Sequence, residues 1–184
     1  MAWALPIAAQ VHPTLSKSPM TPDQIAVYRA FLISYLHVDS TPGNLNLAQR
    51  TSVFDPVKEY EECLDGIRFE KVGSSTSGVH RFDPQAVPSN IALVDAEEQK
   101  QTLYKTDPHW IYRGNELVNE TMEKAFAAGF LTLSEIAFDK KHRYAVFRYW
   151  FECWGLCGSG GTVIFGKQNG VWVMSKRSCM HVAS

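Results

Sequence analysis

Hydrophobic positions recur along the chain with two different periods, and the change of period divides it. Ile25, Tyr28, Phe31, Leu32, Tyr35 and Leu36 fall three or four residues apart, which predicts an amphipathic helix over about 21–37. Thr21 suits its N-cap, Pro22 its first position, and Gln24 completes a capping box. Ser40-Thr41-Pro42-Gly43-Asn44 then reads as a turn. The middle of the chain is less regular. Short strands are expected within 45–54 and at Ile91-Ala92-Leu93-Val94, short helices at 56–66 and 96–104, and a loop at Gly73-Ser74-Ser75-Thr76-Ser77-Gly78. Leu117, Val118, Thr121, Met122, Ala125 and Phe126 predict a second helix over 115–128, with Gly129 placed to end it.

From residue 130 onward the period becomes two. Strands are expected at 131–139, 144–153, 161–167 and 171–181, with Asn169-Gly170 as a two-residue hairpin turn. That turn sets Phe165 opposite Met174 and Gly160 near Cys179. A second hairpin turns at Lys140-Lys141-His142-Arg143. With Asp139 opposite Tyr144, Ile136 pairs with Phe147, Phe138 with Ala145 and Ser134 with Tyr149. The other face pairs Glu135 with Arg148, Leu133 with Trp150 and Ala137 with Val146. The first of these faces is almost wholly apolar and requires a cover of helices. The expected fold class is α+β: N-terminal helices and irregular segments packed on a C-terminal four-stranded antiparallel meander, in a single domain over 21–184.

The chain has 184 residues, 45% hydrophobic and 20% charged, which suits one folded domain and excludes wholesale disorder. Lys+Arg 18 against Asp+Glu 19 leaves a net charge of −1, with no field to draw in nucleic acid. No apolar run approaches the ~18 residues of a membrane span, and no internal repeat is visible. Residues 1–20 read as a signal remnant or an extended lead-in: Met1-Ala2-Trp3-Ala4-Leu5-Pro6-Ile7-Ala8-Ala9 is apolar and ends in small residues, but lacks a basic start. Together with the cysteines, this leads to an expected secreted or periplasmic location.

Two resemblances attach to the C-terminal third. Leu133-Ser134-Glu135-Ile136-Ala137-Phe138-Asp139, Tyr144-Ala145-Val146, Cys153 to Gly161 and Asn169-Gly170-Val171-Trp172 resemble uncharacterised secreted bacterial proteins with a C-terminal Cys-x-x-x-Cys-Gly meander. Asn46-Leu47-Ala48 and Cys63-Leu64 with Gly66 resemble the earlier part of the same group. That resemblance implies an address and no activity. More distantly, helices followed by a meander with Asn-Gly-x-Trp resemble the cone-shaped NTF2-like (SnoaL-like) fold, which hosts enzymes and binding modules alike.

The residues that could carry chemistry are few. Cys63, Cys153, Cys157 and Cys179 allow three disulfide connectivities; Cys153–Cys157 with Cys63–Cys179 is the preferred one. A zinc site from Cys153, Cys157, Cys179 and His181 is the competing reading, but Cys-x-His is a poor second ligand pair, so no metal and no cofactor is expected. Gly158-Ser159-Gly160-Gly161 lacks both the Lys-Ser/Thr of a phosphate loop and the Gly-x-Ser-x-Gly frame of a nucleophile turn; it reads as a flexible hairpin. Glu135 and Arg148 are expected as a cross-strand ion pair, and Glu135, Arg148, Trp150 and His109 are the candidate lining of any pocket. His80-Arg81-Phe82-Asp83-Pro84 and Asp107-Pro108-His109-Trp110 are loop motifs with an aromatic; either could rim a site, and the default is a turn anchored by its ring. The leading functional expectation is a secreted, non-catalytic binding or structural domain, its partner a small molecule or another protein. The rival is a small-molecule enzyme or binder with a pocket between sheet and helices. A filled core between helix and sheet favours the first and a deep polar cavity the second.

Overall fold

A computed structural model describes residues 14–38, 45–54, 64, 66–69, 78–95, 130–152 and 158–183. The expected helices at 56–66, 96–104 and 115–128, and the N-terminal segment before residue 14, lie outside the described residues, apart from 64 and 66.

Helix α1 runs from Pro22 to Val38 and starts with the capping box the sequence announces. The Thr21 backbone N–H donates to Gln24 Oε1 at 2.8 Å, and the Gln24 N–H returns a bond to Thr21 Oγ1 at 3.3 Å. Tyr28, Phe31 and Leu32 are buried as expected, and Val27 joins them.

Among the described residues, seven strands form one mixed sheet: β1 (Leu45–Ala48), β2 (Ile91–Val94), β3 (Phe130–Leu133), β4 (Ala137–Phe138), β5 (Tyr144–Glu152), β6 (Gly158–Gln168) and β7 (Val171–Ala183). Their order is β2-β1-β3-β5-β6-β7, with β4 pairing β5 off that path. The α+β class holds, while the sheet is larger than the four antiparallel strands expected. β1 pairs in parallel with both β2 and β3, and these pairings join strands more than thirty residues apart in sequence. Alternation of apolar residues locates such strands but carries no record of their distant neighbours.

Side chains alternate across β5 and β6, and both faces are covered. Ala145 and Phe147 of β5 with Val163 and Phe165 of β6 pack under Tyr28, Phe31 and Leu32 of α1. Val146 and Ile164 point the other way, into a second cluster with Phe54, Leu64, Phe69 and Ala137. On this second face Thr162 is 1% exposed, and its Oγ1 has no hydrogen-bond partner among the described residues. Thr162→Val, which keeps the shape and removes the orphan hydroxyl, is expected to stabilise the fold by about 1 kcal/mol. A urea melt with unchanged slope would show it, and a loss of similar size would reveal a partner for the hydroxyl.

Both expected hairpins form. Asn169 and Gly170 have φ of +50° and +83°, the left-handed pair that a two-residue turn requires, and Phe165 faces Met174. Beyond that point β7 departs from regular pairing. Register shifts between Val163 and Phe165 and between Gly160 and Thr162 bring Thr162, rather than Gly160, opposite Cys179. Bulges of this kind insert extra residues on one strand, and a register counted outward from the turn cannot anticipate them. Gly158-Ser159-Gly160-Gly161, expected as a loose hairpin, is the start of β6. Gly160 lies opposite Trp150, and a Cβ there would clash with the indole Cε3, so glycine makes room for the ring.

In the first hairpin, Phe138 pairs with Ala145 and Ala137 with Val146, as the alternation requires. Asp139 holds the turn: Oδ1 accepts from the Arg143 and Tyr144 N–H groups, each at 2.6 Å. Burial by itself raises the Asp139 carboxyl; hydrogen bonds from Tyr144, Arg143 and Lys141, with the Arg143 charge, outweigh it and hold the group below its ordinary range. A carboxyl lowered in the folded state stabilises fully above its unfolded pKa of about 4, and that contribution is lost as pH falls through the lower folded value. Asp139→Asn is therefore expected to lower the thermal midpoint at neutral pH and to flatten its decline below about pH 4. Parallel melting curves for the two proteins in acid would contradict this.

Candidate functional site

The most concentrated polar chemistry in the described residues lies where the chain leaves β1, at the exit of β3. A short antiparallel ladder pairs residues 49–51 with 80–82: the Thr51 N–H donates to the His80 carbonyl at 3.0 Å and the Phe82 N–H to the Gln49 carbonyl at 2.9 Å. Beside it, the segment 134–136 leaves the regular sheet. Leu133 pairs with Tyr149 and Ala137 with Val146, so the chain between them holds one residue more than β5 does opposite.

That extra residue corrects the expected registers. Tyr149 faces Leu133 instead of Ser134, and Trp150 faces Thr132 instead of Leu133. Ser134, not Glu135, stands beside Arg148: its N–H donates to the Arg148 carbonyl and its Oγ accepts the Arg148 N–H, both at 2.8 Å. Glu135 bonds through its own N–H to the Ser52 carbonyl at 2.7 Å, and its side chain turns inward, 5% exposed.

The buried carboxylate is then surrounded by donors. The Thr51 hydroxyl donates to Oε1, as does the His80 backbone N–H at 2.8 Å. His80 Nδ1 lies 2.9 Å from Oε2 and 3.0 Å from Oε1. A carboxylate only accepts, so this geometry places a proton on Nδ1 and leaves Nε2 as the ring nitrogen turned away from Glu135. The His80 side chain is 16% exposed, and its Nε2 has no hydrogen bond to the described residues. On the inner side, the Tyr28 hydroxyl donates to the Ser134 carbonyl at 2.7 Å. Burial pushes the Tyr28 phenol well above its ordinary value, and the nearby Glu135 charge adds to the rise. Tyr28 also meets Phe82 edge-on, with ring centroids 5.0 Å apart, so the ring of the His80-Arg81-Phe82 motif does anchor its turn.

The expected pocket lining is dispersed. Glu135 is buried against Thr51 and His80, whereas Arg148 is exposed on β5. Trp150 stands on the same face of β5 as Arg148 and donates from Nε1 to Glu152 Oε1 at 2.8 Å. His109 lies outside the described residues, as do Cys63, Cys153 and Cys157; Cys179 is placed on β7 by its backbone alone, so no disulfide is seen. Sequence reading missed Thr51 and Tyr28 as site residues, and it named His80 only within a loop that could rim a site. Their only signals were the aromatic loop motif at His80 and the helix face at Tyr28, and neither names Glu135 as a partner.

A second polar cluster ties α1 to the last hairpin. Asp23 accepts from Lys167 Nζ at 2.8 Å and from Trp172 Nε1 at 3.0 Å, and Lys167 Nζ sits 5.1 Å from the Trp172 ring centre. Burial by itself raises the Asp23 carboxyl; the bonds from Lys167 and Trp172 and the charges of Lys167 and His142 together outweigh it and lower the group overall. Among the described residues no three His, Cys, Asp or Glu side chains gather as metal ligands, and no helix is long and apolar enough to cross a membrane. No protein-family model matches the chain, and neither does any curated protein or solved structure.

Proposed function

We propose that this chain is a secreted, disulfide-bearing domain with a non-catalytic binding or structural role. The observation that carries this reading is the filled space between α1 and the sheet. Phe31 meets Phe147 at 5.2 Å between ring centroids and Tyr149 at 5.3 Å, Tyr28 meets Phe147 at 5.4 Å, and Phe147 stacks on Phe165 at 6.1 Å. In an NTF2-like cone the ligand pocket would occupy that layer; here aromatic side chains occupy it at core packing distances. Glu135 serves the same end, because its carboxylate joins three separate segments through hydrogen bonds.

One observation favours a second reading, a small-molecule enzyme or binder. A histidine with Nδ1 held by a carboxylate and Nε2 without a bond to any described residue is the arrangement that general acid–base catalysis uses. The two readings separate in one assay. The full chain is offered chromogenic esters, phosphate esters and glycosides beside His80→Asn and Glu135→Gln variants checked for folding. The proposal expects no turnover that depends on either residue; hydrolysis lost in both variants would overturn it. Export and disulfides are tested on the native chain, by fractionation and by intact mass before and after reduction. An unchanged mass would remove the disulfide part of the proposal.

A further inference from the structure

The outward side of the same ladder carries a feature the buried cluster does not use. Arg50 and Arg81 are bridged directly opposite each other. The flanking hydrogen bonds run from Thr51 to His80 and from Phe82 to Gln49, so Arg50 and Arg81 form a non-hydrogen-bonded pair. In such pairs the Cα atoms stand about 4.5 Å apart and the side chains are closer than at any other cross-strand position. Thr51 and His80 point inward to Glu135, and by alternation the two arginines point outward; both are exposed.

Like charges directly opposite on a ladder repel. Compensation here is partial. Asp95 Oδ2 lies 3.5 Å from one Arg50 nitrogen, and the Arg50 side chain is still 48% exposed. Arg81 makes no ion pair with a described residue, and Asp83, the next acid along the chain, accepts the Gln85 N–H at 2.8 Å to cap a short 3-10 turn. Among the described residues, two guanidinium groups thus meet one carboxylate, on a backbone fixed by the buried Thr51–Glu135–His80 bonds. A single carboxylate would add little beside Asp95. A tetrahedral dianion presents enough acceptor oxygens to engage both planar forks.

We propose that Arg50 and Arg81 form a binding site for a phosphate-type dianion, free or as a monoester on a small molecule. This rests on the binding reading above and names the chemistry of the ligand. The ladder supplies the rigid spacing, and the ion relieves the repulsion between the arginines.

The test is a thermal-melt titration of the full chain with inorganic phosphate, phenyl phosphate and acetate, each against sodium chloride at equal ionic strength. A saturable rise in melting temperature is expected with both phosphates and not with acetate. Arg81→Gln and Arg50→Gln are expected to weaken the phosphate response about tenfold or more, and to melt no lower than the parent protein without phosphate. A response retained in the Arg50→Gln/Arg81→Gln double variant would place the anion elsewhere and overturn the site. An absent response in the parent chain, or equal destabilisation of the variants with and without phosphate, would also overturn it. Phenol release from phenyl phosphate separates the two proposals. Binding that needs both arginines, with His80-dependent hydrolysis, would leave this site standing while refuting the non-catalytic role.

Discussion

Replacing Glu135 by alanine is expected to lower the free energy of unfolding by about 3–5 kcal/mol, because several buried donors lose their acceptor at about 1–3 kcal/mol each. The loss follows from what remains behind. The His80 N–H, the His80 ring and the Thr51 hydroxyl all give hydrogen bonds to this carboxylate, and its residue is 5% exposed. Alanine leaves those donors in a space that water enters poorly, so their desolvation goes uncompensated. Glu135→Gln keeps the shape and part of the acceptor capacity, and its loss should be clearly smaller. Guanidinium melts of the three proteins measure both values. A cost below about 1 kcal/mol for alanine would mean that the carboxylate is effectively solvated.

Phe147→Ala should cost a similar amount, about 3–5 kcal/mol, for an apolar reason. The Phe147 ring is fully buried at the centre of β5 and touches Tyr28 and Phe31 of α1 and Phe165 of β6. Removing it opens a cavity between helix and sheet that rigid rings on three sides cannot close. If the helix–sheet layer instead held a natural void, truncation would cost far less, and added benzene would not restore stability. A filled layer predicts the large loss together with partial rescue by a small aromatic solute.

Local elements were legible in the sequence wherever the signal was itself local. The capping box at Thr21 and Gln24, the apolar face of α1, the strand at Ile91–Val94 and the Asn169-Gly170 turn each involve residues close in sequence, and each is found in place. The parallel pairings of β1 depend on connections of dozens of residues, about which alternation is silent. The registers failed at single residues. One extra residue between Leu133 and Ala137 took Glu135 away from Arg148 and gave it to His80, fifty-five positions upstream. The carboxylate expected in a cross-strand ion pair is instead a buried junction. Sequence spacing cannot distinguish these outcomes, because a bulge changes which side of the ladder a side chain occupies.

The measurement that bears most directly on this account is a double-mutant cycle between Glu135 and His80, using Glu135→Gln and His80→Asn and reading unfolding free energies at neutral pH. If the two side chains act as one buried unit that holds 51, 80 and 135 together, the double variant will lose less than the sum of the single losses, with a coupling of about 1–3 kcal/mol. Additivity within about 0.5 kcal/mol would contradict it, because the two groups would then be stabilising the fold independently.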